Sequence, residues 1–248
     1  MITRVLLGAL VAGVVALSAT TELQNVNAND WESLFNGEDL SGWENRSGDD
    51  SIWRVKDGVI DCDPKVGGNK DKSLWSADSY EDFELIVEWR IKETKGKYNV
   101  PTVLPDGSHK TDAEGNTIIT PMPNADSGIY LRGTSKAQVN IWCWPVGSGE
   151  VYGYRMDDSM PAEVRAGVTP SKKMDNMVGE WNTFNITMKG DHLTVMLNGE
   201  KVVDSELPGV PARGPLALQH HGGYDAEKDT WNPASSLVQF RNIKIREL

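Results

Sequence analysis

Apolar and polar residues alternate with a period of two along most of this chain. Phe184, Ile186 and Met188 interleave with Asn185, Thr187 and Lys189, and after a Gly190-Asp191 turn Leu193, Val195 and Leu197 interleave with Thr194 and Met196. Such alternation predicts strands with one face buried. Asn198-Gly199 supplies the next turn, because both residues tolerate the positive φ of a tight hairpin, and a second turn after Glu200-Lys201 sends Val202 and Val203 onward. The same pattern predicts a hairpin over Trp53 to Cys62 about Asp57-Gly58, a short strand at Ser73 to Ser76, and a strand over Asp82 to Lys92. In that last strand Phe83, Leu85, Val87 and Trp89 point one way and Glu84, Ile86, Glu88 and Arg90 the other. Further strands are predicted over Ser127 to Arg132, Ala137 to Trp144, the Leu-Ala-Leu-Gln-His-His run ending at His221, and Val238 to Leu248. Between Ala137 and Trp144, Val139, Ile141 and Cys143 share one face, and Gln138, Asn140 and Trp142 share a polar, aromatic one.

Many short strands and few helices predict an all-β sandwich of two antiparallel sheets. Lys95 to Pro123 is rich in Pro, Gly, Asp and Thr and reads as a long polar loop, a feature that compact domains keep for function or mobility. Gly147 to Val178 reads as irregular, with helical turns. Residues 29–248 are expected to form one domain carrying the loop insertion at about 95–125.

The first 28 residues change the picture. Arg4 precedes an apolar stretch from Val5 to Leu17, which is short for a membrane span, and small-residue cleavage sites follow Ala19 and Ala28. This is the pattern of a secretory signal peptide. The expectation is a periplasmic or secreted protein, and no Cys follows the apolar run to take a lipid anchor. An uncleaved signal anchor is the alternative. The formal net charge of −11 argues against nucleic acid or an anionic membrane as partner. Nine Trp suit carbohydrate stacking as well as core filling. In an oxidising compartment Cys62 and Cys143 form either one disulfide or two separate buried thiols.

The segments SLFNGEDLSGW, WRVKDGVI, DFELIVEWRI, ADSGIYLRG, VGEWNTFNITMKGDHLTVMLNG, GPLALQHHG and VQFRNIKIREL follow one another from about Ser33 to the C-terminus. In this order they resemble the 3-keto-disaccharide hydrolase domain family. The resemblance implies a concanavalin A-like jelly roll, export in many members, and action on sugars oxidised at C3. The strand after Arg132 commonly reads Glu-Val-Gln in that family and reads Gln138-Val139-Asn140 here.

A ketone at C3 acidifies the C2 hydrogen, so a base can remove it, the aglycone can leave C1, and water can add to the enone. That route needs a base, an acid for the leaving oxygen, and stabilisation of the enolate by a cation, an Arg or backbone donors. His221 is the first candidate base, since His titrates near neutral pH and this one closes a strand before Gly222-Gly223. Glu150, in a Gly-rich stretch with Tyr152, is the second catalytic candidate, against the alternative of a solvated loop carboxylate. Arg132 is a candidate for the enolate, with a salt bridge to Glu88 as its alternative. Glu88, Asp126, Gln138, Asn140, Trp142, Tyr152, Gln219 and His220 are expected to line the substrate site. His192 is expected to be solvated in its hairpin turn, and His109 lies in the long loop. A divalent cation held by His221 with Glu150 or Asp126 is left open. No Glu-x-Asp-x-Glu strand is present, which counts against glucanase chemistry through paired carboxylates. The expected partner is an oligosaccharide or glycoside, either as the substrate of a glycoside-cleaving enzyme or as the ligand of a non-catalytic binding module of the same fold.

Overall fold

The computed structural model describes residues 30–46, 52–64 and 72–248, and the leader lies outside them. Two antiparallel sheets carry the fold. The larger runs, in spatial order, through Glu200–Glu206 (β13), His192–Leu197 (β12), Asn182–Lys189 (β11), Phe83–Ile91 (β6), Val238–Glu247 (β17), Val59–Cys62 (β4) and Trp53–Lys56 (β3), with Glu32–Ser33 (β1) paired to β17. The smaller runs through Thr134–Trp142 (β10), Asp126–Leu131 (β9), Gly214–Leu218 (β14), Leu74–Tyr80 (β5) and Trp43–Asn45 (β2).

Alternation decides which faces meet. Phe83, Leu85, Val87 and Trp89 on β6 are buried, and register places Val87 opposite Phe184 and Leu85 opposite Ile186 on β11. Val139 and Ile141 on β10 and Ile129 and Leu131 on β9 close the core from the smaller sheet. The predicted tight turns at Asp57-Gly58 and Asn198-Gly199 form, whereas the turn expected after Glu200-Lys201 does not, because Glu200–Glu206 runs as one strand paired to β12. Asp57 and Gly58 take φ of 52° and 74°, and Asn198 and Gly199 take 51° and 85°, the left-handed pair that matches strand twist in a two-residue hairpin. Cys62 and Cys143 are not bonded to each other. Burial raises both thiols, Cys62 well above its ordinary value and Cys143 to about 11.

The segment expected as a polar loop is a ribbon. Lys97–Pro101 (β7) pairs with Ile119–Pro123 (β8), with further bridges between Val103 and His109 and between Thr111 and Thr117. Its strands lack a clean apolar face, so their hydrogen bonds rather than their side chains define them. The segment 143–178 holds two short helical turns, Tyr152–Arg155 (α1) and Ala162–Gly167 (α2). A second short ribbon joins Tyr224–Asp225 (β15) to Thr230–Trp231 (β16).

Candidate functional site

The outer face of the smaller sheet collects the predicted polar residues. Register sets Gln138 opposite Tyr130, Asn140 opposite Gly128 and Trp142 opposite Asp126. Gln138 Nε2 donates to Ser127 O at 3.1 Å, Asn140 Oδ1 at 2.6 Å and Gln219 Oε1 at 2.6 Å. Asn140 Nδ2 donates to the carbonyl of Glu150 at 3.0 Å, which turns Asn140 Oδ1 toward Gln138. The three amides form one ladder across β10, β9 and the end of β14, and all three are buried.

His221 lies two residues beyond Gln219, just past the end of β14, and is itself exposed between buried His220 and half-buried Gly222. Its Nδ1 is 2.9 Å from the carbonyl of Ala234. A carbonyl only accepts, so this contact holds the proton on Nδ1 and leaves the lone pair on Nε2. The His221 amide donates to Ser236 Oγ at 2.7 Å, and that hydroxyl donates to the carbonyl of Asp126 at 2.7 Å. Asn124 adds a second clamp: its Nδ2 donates to Lys95 O at 3.1 Å and Asn232 O at 2.9 Å, and its Oδ1 accepts from the Ser235 amide at 3.2 Å. Sequence reasoning missed Asn124, Ser235 and Ser236. The only available signal was a pair of serines in a Pro-containing stretch close to the C-terminal strand. Asp126 keeps part of its surface exposed. Packing around its carboxyl, and then the charge of Glu150, nevertheless raise its pKa well above the usual carboxylate range.

Several predicted residues are placed elsewhere. Arg132 is 2% exposed and donates to the carbonyls of Glu81, Gly190 and Pro211 and to the Asp82 carboxylate. It ties loops together, and the salt bridge expected with Glu88 does not form, because Glu88 lies on the other sheet. Glu88 points away from the core on the larger sheet and pairs with Arg241 at 2.6 Å, so it does not share the amide face. His220 is 1% exposed, and its amide donates to Ser73 Oγ at 3.3 Å. Trp142 is 3% exposed and stacks on Trp144 at 4.1 Å and 7°. The β7–β8 ribbon covers the pair with Val100, so Trp142 builds a satellite core instead of an open platform. Trp142 also lines a mostly apolar cavity of about 290 Å³ with Trp89, Met122, Cys143 and Met177. Tyr152 is exposed and stands edge-on to both Trp rings. His192 is exposed as expected and pairs with Asp204 and Glu206.

Glu150 is not a solvated loop carboxylate, and it does not open onto the amide face. It is 0% exposed and paired with Arg155 Nε. Burial pushes its pKa up to about 7, with Arg155 pulling the other way. Arg155 Nη1 reaches Gly107 O at 3.2 Å and His109 Nε2 at 3.1 Å, so the ion pair fastens the ribbon to the segment around α1. Arg155 and His109 are a connection that sequence spacing does not reveal. Among the described residues no group of three or more His, Cys, Asp or Glu is arranged to hold a metal ion, and His221 forms no such group with Glu150 or Asp126.

Two antiparallel sheets packed face to face, one with a buried amide ladder on its outer side, define a concanavalin A-like jelly roll. The chain belongs to the family of 3-keto-alpha-glucoside-1,2-lyase-like domains, whose model matches residues 30–246. Two solved structures of provisionally assigned glycosyl hydrolases from Parabacteroides distasonis ATCC 8503 share this fold. One is 24% identical, with a TM-score of 0.56 over 89% of this chain and 84% of its own. The other is 20% identical, with a TM-score of 0.54 over 89% of this chain and 95% of its own. No functionally curated protein matches the chain. Among the described residues no helix is long and apolar enough to cross a membrane.

Proposed function

We propose that the chain is an exported enzyme that cleaves 3-keto-glycosides by elimination followed by hydration. One observation carries this reading: the bond from His221 Nδ1 to Ala234 O, at 2.9 Å, leaves Nε2 of an exposed imidazole as the ring nitrogen open to a substrate, two residues beyond Gln219 of the amide ladder. In the proposed reaction Nε2 takes the C2 proton of the 3-keto sugar. The C1–O bond breaks, and its electron pair leaves with the aglycone oxygen. Asp126, whose raised pKa keeps a proton available, supplies the acid for that oxygen. Water then adds across the enone to give the free 3-keto sugar. Family membership supports the substrate class, and the apolar leader with its small-residue cleavage sites supports export.

A second reading is favoured by Gln138 and Asn140, amides on the strand where the resemblance leads one to expect a carboxylate. It makes the protein a carbohydrate-binding module of the same fold. Incubation of residues 29–248 with 3-keto-trehalose and with 3-keto-glucosides, with and without chelator and beside His221→Ala, separates the two. Release of 3-keto-glucose by the wild type, lost in the variant, is the expected result, and loss with chelator would add a metal. Sugar binding without release from any 3-keto substrate would replace the enzyme reading with the binding module.

A further inference from the structure

A cleft of about 370 Å³ lies beside the His221 segment, lined by Lys95, Gly96, Lys97, Asn124, Asp229, Thr230, Trp231 and Pro233. Its volume falls in the range of small-ligand sites, about 300–1,000 Å³. We propose that this cleft is a sugar subsite that holds the leaving sugar of a 3-keto-disaccharide, with one pyranose face against Trp231.

Three features of the cleft specify that ligand. First, Trp231 is half-buried and braced from one side by Tyr224, with ring centroids 5.4 Å apart, so its indole is held as a wall. A pyranose presents an apolar face of C–H groups to such a ring. Second, the rim offers donors and acceptors of the kind a ring of hydroxyls needs. Lys97 is exposed and has no ion-pair partner among the described residues, Thr230 is exposed, and Asp229 Oδ1 accepts the hydroxyl of Tyr224 while its carboxylate borders the cleft. The mixed signs disfavour a simple anion. Third, the cleft wall and the proposed base belong to one stretch of backbone. Pro233 lines the cleft, and the next residue, Ala234, supplies the carbonyl that holds His221 Nδ1. Asn124 lines the cleft as well and locks Asn232 and Ser235 to Lys95. A disaccharide can therefore place one ring at His221 and the other at Trp231.

This inference rests on the proposed enzyme reading for the word "leaving", but its test does not. Calorimetric binding of trehalose and of cellobiose, compared with methyl glucoside, reads the subsite without any turnover. Trp231→Ala should weaken binding of the tighter disaccharide about tenfold, a change of the size aromatic contacts supply, and should leave methyl glucoside unchanged. Trp231→Phe should restore most of the loss, and Lys97→Ala, a surface change that leaves the fold alone, should weaken binding several-fold. If turnover of 3-keto-trehalose is found, Trp231→Ala should raise KM about tenfold at near-constant kcat. Unchanged disaccharide binding in both Trp231→Ala and Lys97→Ala would overturn the subsite, and so would a wild type that binds neither disaccharide. Absence of turnover with binding still dependent on Trp231 would overturn only the enzyme reading.

Discussion

Gln138 Nε2 lies 2.6 Å from Gln219 Oε1, although Gln138 on β10 and Gln219, just past β14, are separated by β9. The contact exists because Gly128 stands between them. A Cβ on Gly128 would sit 2.5 Å from Gln138 Nε2, 2.7 Å from Gln138 Cγ and 2.8 Å from the carbonyl of Val139. The backbone carbonyl cannot yield without disturbing the β9–β10 ladder. Gly128→Ala is therefore expected to cost about 1–3 kcal/mol through overpacking and to break the amide ladder. Urea midpoints measure the first effect and sugar binding the second. A variant as stable as the wild type would show that the amides do not depend on the missing side chain.

Gln138→Glu replaces an amide donor with an acceptor among three acceptors: Ser127 O, Asn140 Oδ1 and Gln219 Oε1. The new carboxyl should prefer its protonated form, so its folded pKa should be raised. Stability that is intact below the unfolded value is then lost as pH rises through the folded one. At neutral pH the penalty is expected at about 1–3 kcal/mol, the cost of a buried polar group left without its partner, and it should shrink toward pH 4. A pH series of denaturation midpoints decides this, since a pH-independent loss would point to packing instead.

Glu150 should leave a mark on the stability curve of the native protein. Its folded pKa, about 7, lies above the ordinary 4.5 because burial outweighs the pull of Arg155. The native state therefore holds an extra proton between those values. Stability should be full below about pH 4.5, fall as pH rises toward 7, and level off beyond. The raised pKa of Asp126 acts in the same direction. The part of the linked change that belongs to Glu150 is on the order of 3 kcal/mol. Glu150→Gln, which cannot titrate, should gain stability relative to the wild type across that window. Parallel curves for the two proteins would refute the assignment.

Arg132→Ala tests the revised role of that residue. Four acceptors from distant parts of the chain, Glu81, Asp82, Gly190 and Pro211, lose their donor at once. Removing one partner of a buried charged network costs about 3–5 kcal/mol. The expected phenotype is low yield and a depressed melting temperature, while any folded fraction keeps its affinity for sugar. Normal stability with lost affinity would return Arg132 to the ligand site.

The two sheets were legible because period-two alternation is a local property, and so were the turns at Asp57-Gly58 and Asn198-Gly199, where residue type itself permits the backbone. The β7–β8 ribbon was not, since its strands bury little beyond Val100, Tyr98 and Met122 against Trp142 and Trp144. Charged residues misled for a related reason. Sequence ends a strand at Arg132 and puts Glu150 in a Gly-rich stretch, where both read as candidates to meet a ligand, but the groups that neutralise them, Asp82 and Arg155, come from elsewhere in the chain. The amide face at Gln138, Asn140 and Gln219 could be read from alternation, whereas its burial could not. His221 was placed at a strand end by the glycines that follow it, but the bond that sets its tautomer comes from Ala234, which no spacing rule connects to it.

Ser236 offers the sharpest check on whether His221 is held for a purpose. Its hydroxyl accepts from the His221 amide and donates to the Asp126 carbonyl, each at 2.7 Å, and the residue is 0% exposed. Ser236→Ala keeps the volume close to native and removes both bonds, leaving an amide and a carbonyl short of a partner. The stability loss should be about 1–3 kcal/mol. A purely structural role stops there. If the hydroxyl also positions the base and the acid, kcat for 3-keto-glucoside cleavage should fall at least several-fold at constant KM, in protein shown to be fully folded by its circular dichroism. An unchanged kcat in folded Ser236→Ala would mean that Ala234 alone is enough to aim the imidazole, and that Asp126 and His221 are not coupled through this serine.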